Sequence, residues 1–381
     1  MRRTYGDLAR WLGLAVLALS LQAGAAQDAG TGMDVDQGWT SRMHFSGYGE
    51  LHLNFPKTGT MDSDAPSRSE IHRFTLGWGY EWTDTIRFAA EVDFEHNASE
   101  LEFEFGYVEI DVAPDLSIRA GSVLMPIGSL NENHEPVLFY SVERPYVHVS
   151  LIPTTWQENG LGVTGQALEG QLAYRAYLVP GLDAGGFTTK DGLRKGRSKG
   201  IESETEDVAF AGRLEYSPSV EGLSLGGSLY VGGADQGDAD LGSVDVTLFS
   251  VDVQYRASRF EVKGEFIRID VDGADMLSTV AEETIGDVMQ GWYVEGAYHV
   301  LPQTSFEDPD LVVFVRREDF NTNEEVPSGF TADAAADREV WTFGVAFLPI
   351  DRVSIKADVE SWEDGTGDSL TRVNLGVAFM F

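Results

Sequence analysis

The stretch Leu370-Thr-Arg-Val-Asn-Leu-Gly-Val-Ala-Phe-Met-Phe381 decides how the rest of the chain is read. Successive side chains of an extended strand point to opposite sides, so Val373, Leu375, Val377, Phe379 and Phe381 share one face. The same period of two runs through the chain. In Arg87 to Glu95, Phe88, Ala90, Val92 and Phe94 oppose Arg87, Ala89, Glu91, Asp93 and Glu95. Arg73 to Tyr80 sorts Phe74, Leu76, Trp78 and Tyr80 against Arg73, Thr75, Gly77 and Gly79, and Val353, Ile355, Ala357 and Val359 oppose Ser354, Lys356, Asp358 and Glu360.

Alternation alone also fits a soluble sandwich. The polar parity, however, is rich in glycine and charge, while large aromatics of the apolar parity gather near strand ends, as in the girdles of a membrane barrel. No segment has 18 consecutive apolar residues, so a membrane-spanning form must close its backbone hydrogen bonds as a barrel. The pattern predicts an all-β fold, a transmembrane antiparallel barrel of about sixteen strands. Their expected spans are 43–55, 70–81, 85–96, 100–112, 116–125, 159–166, 170–180, 207–217, 222–232, 243–256, 258–270, 289–300, 309–320, 338–348, 351–362 and 370–381. Turns after even strands are short, whereas the connections 56–69, 126–158, 181–206, 271–288 and 321–337 after odd strands are long. That asymmetry is the one between periplasmic turns and outer loops. The exceptions are a short loop from His96 to Glu100 and a longer turn from Leu301 to Asp308. Glu102 and Glu104 share a parity with Val108 and Ile110, which predicts a bulge near Phe105-Gly106-Tyr107. Asn374, Gly376, Phe379 and Phe381 at the end of the last strand resemble the signal read by the outer-membrane barrel assembly machinery.

With 27 Lys and Arg against 62 Asp and Glu, the 381 residues carry a net charge of -35 and contain no cysteine. This excludes disulfide and thiolate-metal chemistry and argues against nucleic acid as a partner. Arg2, Arg3 and Arg10, the apolar run Trp11 to Leu21 and the small residues Gln22-Ala-Gly-Ala-Ala26 read as a cleaved secretory signal over 1–26. A short periplasmic segment, 27–42, would precede the barrel, 43–381, in the bacterial outer membrane.

Gly47-Tyr-Gly-Glu-Leu-His52, Asn131-Glu-Asn-His-Glu-Pro136, Phe139-Tyr-Ser-Val-Glu-Arg-Pro145, Ile152-Pro-Thr-Thr-Trp-Gln-Glu-Asn-Gly160 and Tyr177-Leu-Val-Pro-Gly-Leu182 resemble the phosphate-selective porin O and P family. The resemblance is dense over about 43–217 and looser beyond. It implies a trimer of sixteen-stranded barrels in which the loop after strand five, 126–158, folds inward as a constriction. The chain departs from that family in its cations. None of its six Lys lies between Lys57 and Lys190, so the loop 126–158 has none. The expected function is therefore passive diffusion of small hydrophilic solutes or ions, the alternative being a channel with binding sites for phosphate, polyphosphate or another small anion.

His134, Glu135, Glu143, Arg144 and Trp156 are the candidates for the constriction, although Trp156 and the loop prolines could equally pin the loop to the wall. Arg73, Arg87, Glu91, Asp93, Arg119, Lys263, Glu265, Arg316, Lys356, Asp358 and Arg372 are the candidate lumen-facing charges. Such groups either set a field across the bore or brace the wall as cross-strand pairs. Asp235, Asp238 and Asp240 could hold Ca²⁺ or Mg²⁺, or form a solvated loop. The basic run Lys190, Arg194, Lys195, Arg197 and Lys199 could draw anions or lie in solvent. No catalytic constellation is found, and no cofactor or metal is expected. Lipid, lipopolysaccharide and the assembly machinery are the expected partners.

Overall fold

The computed structural model describes residues 40–61, 66–301 and 308–381. The expected signal, nearly all of 27–42 and much of the turn from Leu301 to Asp308 lie outside the described residues. Sixteen antiparallel strands follow one another: β1 Met43–Gly59, β2 Arg68–Glu81, β3 Ile86–Glu95, β4 Glu100–Ala113, β5 Leu116–Leu124, β6 Gln157–Ala167, β7 Leu172–Pro180 and β8 Val208–Tyr216. Then come β9 Leu223–Gly233, β10 Asp245–Ala257, β11 Phe260–Asp272, β12 Val288–His299, β13 Asp310–Glu325, β14 Asp337–Ile350, β15 Val353–Asp364 and β16 Ser369–Met380. Each strand pairs with its neighbours in sequence, and β1 pairs with β16, so the sheet is a closed barrel. Phe381 completes the seam, its N–H donating to the Gly47 carbonyl at 2.8 Å.

All sixteen expected strands are present, but several run further outward than the alternation indicates. β1 continues to Gly59 and β13 to Glu325. The cause is visible in β11. Phe260, Val262 and Phe266 point out while Glu261, Lys263 and Glu265 point in. Further along the strand, Arg268, Asp270 and Asp272 occupy the outward parity, and Ile267, Ile269 and Val271 are buried inward. The hydrophobic pattern therefore inverts along the strand, while backbone pairing carries on. On the outward face at that level, the Arg317 guanidinium lies 5.6 Å from the Trp292 ring and 5.3 Å from the Trp341 ring, as suits amphipathic groups at an interface.

The inward apolar residues at the outer end form one core with the loops above them. Val246, Leu248, Ile267, Ile269 and Val271 pack with Leu182, Phe187 and Leu193, and with Ala274 and Leu277 of helix α2 (Ala274–Ala281). Helix α1 (Val147–Ser150) lies in the long connection between β5 and β6.

The bulge expected at residues 105–107 lies slightly earlier. Glu91 pairs with Phe105 and Val92 with Phe103, leaving Glu104 as the extra residue. A second bulge, absent from the sequence reading, makes His72 the extra residue of β2, since Glu50 pairs with Arg73 and Leu51 with Ile71. An added residue shifts strand parity, so each bulge brings one more titratable side chain to the inner face.

Candidate functional site

The connection between β5 and β6, residues 125–156, is held inside the barrel by side chains from widely separated strands. Its ends are stapled by Asn131, whose Nδ2 donates to the carbonyls of Met125 and Trp156, both at 2.8 Å, and whose Oδ1 accepts from the Trp156 N–H. The Ser129 hydroxyl donates to Glu265 on β11 at 2.6 Å, and His148 Nε2 lies 2.8 Å from the same carboxylate. Further round the same side of the barrel, the Val142 N–H donates to Asp358 on β15 at 2.7 Å, and Arg316 on β13 donates to the Ser141 hydroxyl at 2.6 Å. Tyr140 and Tyr146 donate to Glu261 and Glu360, at 3.0 and 2.9 Å. These partners lie on the inner faces of β11, β13 and β15, so the segment is anchored within the barrel wall.

The constriction candidates take different places along this segment. His134 is buried, 3.0 Å from the Tyr48 hydroxyl and 3.2 Å from Glu104. Glu135 is half-buried beside it, with Oε2 free of hydrogen bonds. Glu143 accepts from Asn54 on β1 at 2.9 Å and lies 3.3 Å from His52 Nδ1. Burial opposes its charge, but the bonds from His52 and Asn54 win and hold the carboxyl down at about 2. Arg144 is half-buried. Trp156 is fully buried, 5.2 Å from the Tyr230 ring, with Nε1 donating to Glu158.

The lumen-facing candidates all lie on the inner parity and engage partners. Arg73 donates to Glu50 at 2.8 Å, Lys263 to Glu261 at 2.9 Å, and Arg316 to Glu318 at 2.8 Å. Arg372 lies 3.5 Å from Glu360. Lys356 donates to the carbonyls of Pro136 and Ser141, so it grips the inserted segment and not another strand. Glu91 and Asp93 join Arg73 and Glu104 in one buried group on β2 to β4.

Elsewhere on the inner face lies a row of arginines, of which Arg87, Arg119 and Arg175 remain partly exposed and Arg213 is buried. Arg87 on β3 and Arg119 on β5 both donate to Glu109, each through Nε at 2.8 Å. Arg175 on β7 lies 3.3 Å from Glu132 of the inserted segment, and Arg213 on β8 donates to Asp252 at 2.7 Å. Side chains of Arg87, Arg119 and Arg175 are 24, 20 and 22% exposed. Arg175 and Arg213 were absent from the sequence candidates. Their signal is the short polar parity of β7 and β8, diluted there by alanines.

Several of the other singled-out groups brace loops, whereas Lys195 is 63% exposed. Asp235 accepts from the N–H groups of Gly237 and Val244, and Asp238 from that of Asp240, so these carboxylates cap their own loop. In the basic run, Arg194 and Arg197 reach the carbonyls of Thr154 and Thr155, at 3.0 and 2.7 Å, and brace the end of the inserted segment. Burial first, and then the neighbouring Arg194, lowers the Arg197 guanidinium to about 9. In β16, Asn374 points inward and donates to Asp358 at 2.8 Å, and Gly376 leaves room for Val142. Phe379 and Phe381 point outward, each ring 6.4 Å from that of Phe74.

An uncharacterized protein of Aquifex aeolicus (strain VF5) is 32% identical over 357 residues, covering 88% of this chain and 79% of its own length. The chain belongs to the family of that protein. No family model matches it. Among solved structures, it is similar to the outer membrane channel DcaP of Acinetobacter baumannii, with a TM-score of 0.58 and 10% identity, covering 89% of this chain and 97% of that one. It is also similar to an anion-selective porin from Comamonas acidovorans, with a TM-score of 0.56 and 11% identity over 89 and 99% of the two chains. OmpT of Vibrio cholerae in its trimer form aligns over the same shares, at a TM-score of 0.55 and 11% identity. These likenesses establish the outer-membrane porin fold.

Proposed function

We propose that this chain forms a water-filled channel of the bacterial outer membrane for passive diffusion of small hydrophilic solutes or ions. The observation that carries the reading is a closed sixteen-stranded wall with apolar residues outside and partly hydrated charges inside. Sixteen strands enclose more space than their inward side chains fill, whereas eight do not. Inward Gln254 is exposed, and Arg119, Arg175 and Glu215 keep 20, 22 and 29% of their side chains open. The inserted segment narrows this bore, and the half-buried Glu135, Glu143 and Arg144 are the residues through which it sets selectivity, while buried His134 holds the segment to the wall.

A preference for cations follows from the charge inside. Among the described residues, thirteen buried Asp and Glu stand against four buried Arg and Lys and four buried His. Low-dielectric walls of one dominant sign raise the local concentration of the opposite ion. The quoted motifs support kinship with the phosphate-selective porin O and P family and a trimeric assembly, but the absence of Lys from 126–158 opposes phosphate as the preferred solute.

Planar-bilayer recording of the refolded protein in asymmetric KCl tests this. Ohmic steps with a reversal potential favouring K⁺ are expected. A barrel that inserts without conducting would show that the segment plugs it, and an anion-selective current blocked by phosphate would favour the anion-binding alternative.

A further inference from the structure

Four side chains from four elements meet where the inserted segment touches the wall. Tyr48 on β1, Glu91 on β3, Glu104 at the β4 bulge and His134 on the segment are each at most 7% exposed. The Tyr48 hydroxyl lies 3.0 Å from His134 Nε2, 3.0 Å from Glu104 Oε2 and 3.4 Å from Glu91 Oε1. One ligand atom each from Glu91, Glu104 and His134 falls within 4.8 Å of the others.

The hydrogen bonding around this group is unbalanced. His134 Nδ1 lies 2.9 Å from the Asn131 carbonyl, which accepts only, so Nδ1 carries the proton and donates it. Nε2 then faces Glu104 Oε2 at 3.2 Å, with Glu91 further off, within 4.8 Å. The single Tyr48 proton serves one of these three acceptors. Glu104 Oε1 and Asp93 Oδ2 are buried without hydrogen bonds, 3.6 and 4.0 Å from Arg73, which donates to Glu50 through Nε while its Nη1 and Nη2 also lack hydrogen-bond partners. Arg73 is thus the one permanent cation facing Glu50, Glu91, Asp93 and Glu104 in a place shielded from water, beside the imidazoles of His52, 2.8 Å from Glu50, and His134, 3.2 Å from Glu104. A buried charge excess of this kind is costly unless something positive fills it.

We propose that Glu91, Glu104 and His134 bind a divalent first-row transition-metal cation. One imidazole nitrogen with two carboxylate oxygens is a ligand set that Zn²⁺ accepts, and a fourth position is left to water or the Tyr48 hydroxyl. The Asn131 carbonyl supplies the outer contact that orients a metal-bound histidine. The ion fastens the inserted segment to β3 and β4, and the inference does not rest on the channel reading.

The test uses the refolded full-length barrel, stripped with EDTA and titrated with Zn²⁺ by calorimetry. One equivalent per chain is expected, with at least a hundredfold loss of affinity in Glu104→Gln and in His134→Gln. Binding should survive in His72→Ala and His96→Ala, which remove the more exposed group formed with Glu70. X-ray absorption at the zinc edge of the wild type should show nitrogen and oxygen ligands with one imidazole. No Zn²⁺ bound by the intact wild-type barrel would overturn the proposal in favour of a proton shared by Glu91 and Glu104. So would two or more imidazoles at the metal, or unchanged affinity in Glu104→Gln.

Discussion

The ammonium of Lys356 donates to the Ser141 carbonyl at 2.9 Å, joining β15 to the middle of the inserted segment. The same group also bonds the Pro136 carbonyl and stands 4.0 Å over the Phe139 ring. Lys356→Met should therefore loosen the segment, at about 2 kcal/mol for hydrogen bonds to a charged donor. The expected readout is greater current noise and a higher open conductance in bilayers. Traces identical to the wild type would mean that other anchors suffice.

Arg316 is fully buried between Glu318, at 2.8 Å, and Glu295, at 3.3 Å. Removing one partner of a buried pair leaves the others uncompensated, so Arg316→Met should cost about 3–5 kcal/mol. Adding Glu318→Gln and Glu295→Gln should recover most of that loss. Urea unfolding of the single and triple variants measures the difference, and an additive triple variant would refute the coupling.

Glu143 gives a pH signature. Its carboxyl is held at about 2, below the usual carboxylate range, so the stabilisation it lends is complete above that range. It is lost as pH falls from the usual value through about 2. Conductance should be constant from neutral pH to roughly 4.5 and should change below it. Glu143→Gln should lack that acid transition, a comparison made by recording both proteins across the same pH series.

The polarity inversion predicts a depth-dependent cost on the outer face. Val251 faces outward in the apolar part of β10, whereas Thr247, four residues nearer the outer end, pairs with Asp270. Val251→Arg should cost about 2–4 kcal/mol and Thr247→Arg about 0–1, as measured by folding into lipid vesicles. Equal costs would place the bilayer elsewhere.

The strands were legible because lipid on one side and water on the other impose a strict period of two. Phe88, Ala90, Val92 and Phe94 could not sit on any other face. What escaped the sequence were events that break or end this period. The outer extensions of β1 and β13 carry polar groups outward, so their alternation loses its apolar half. The bulge at His72 adds one residue without any local turn chemistry to betray it. The meeting of His134 with Glu91 and Glu104 depends on that kind of shift and on a loop folded inside the barrel, neither of which is written in local spacing. Trp156 was singled out for its chemistry, and its place against Tyr230 follows from packing that only the folded chain defines.

The inward apolar core at the outer end of β10 and β11 has a mechanical consequence. Below it, the wall turns its apolar parity outward and its charged parity inward. Above it, cohesion comes from a water-excluding cluster of the ordinary globular kind, built from Ile267, Ile269, Leu248 and the loop residues Leu182, Phe187 and Leu277. The two halves therefore answer to different solvents. A denaturant that dissolves the upper cluster can unroof the barrel while its lipid-embedded staves stay joined.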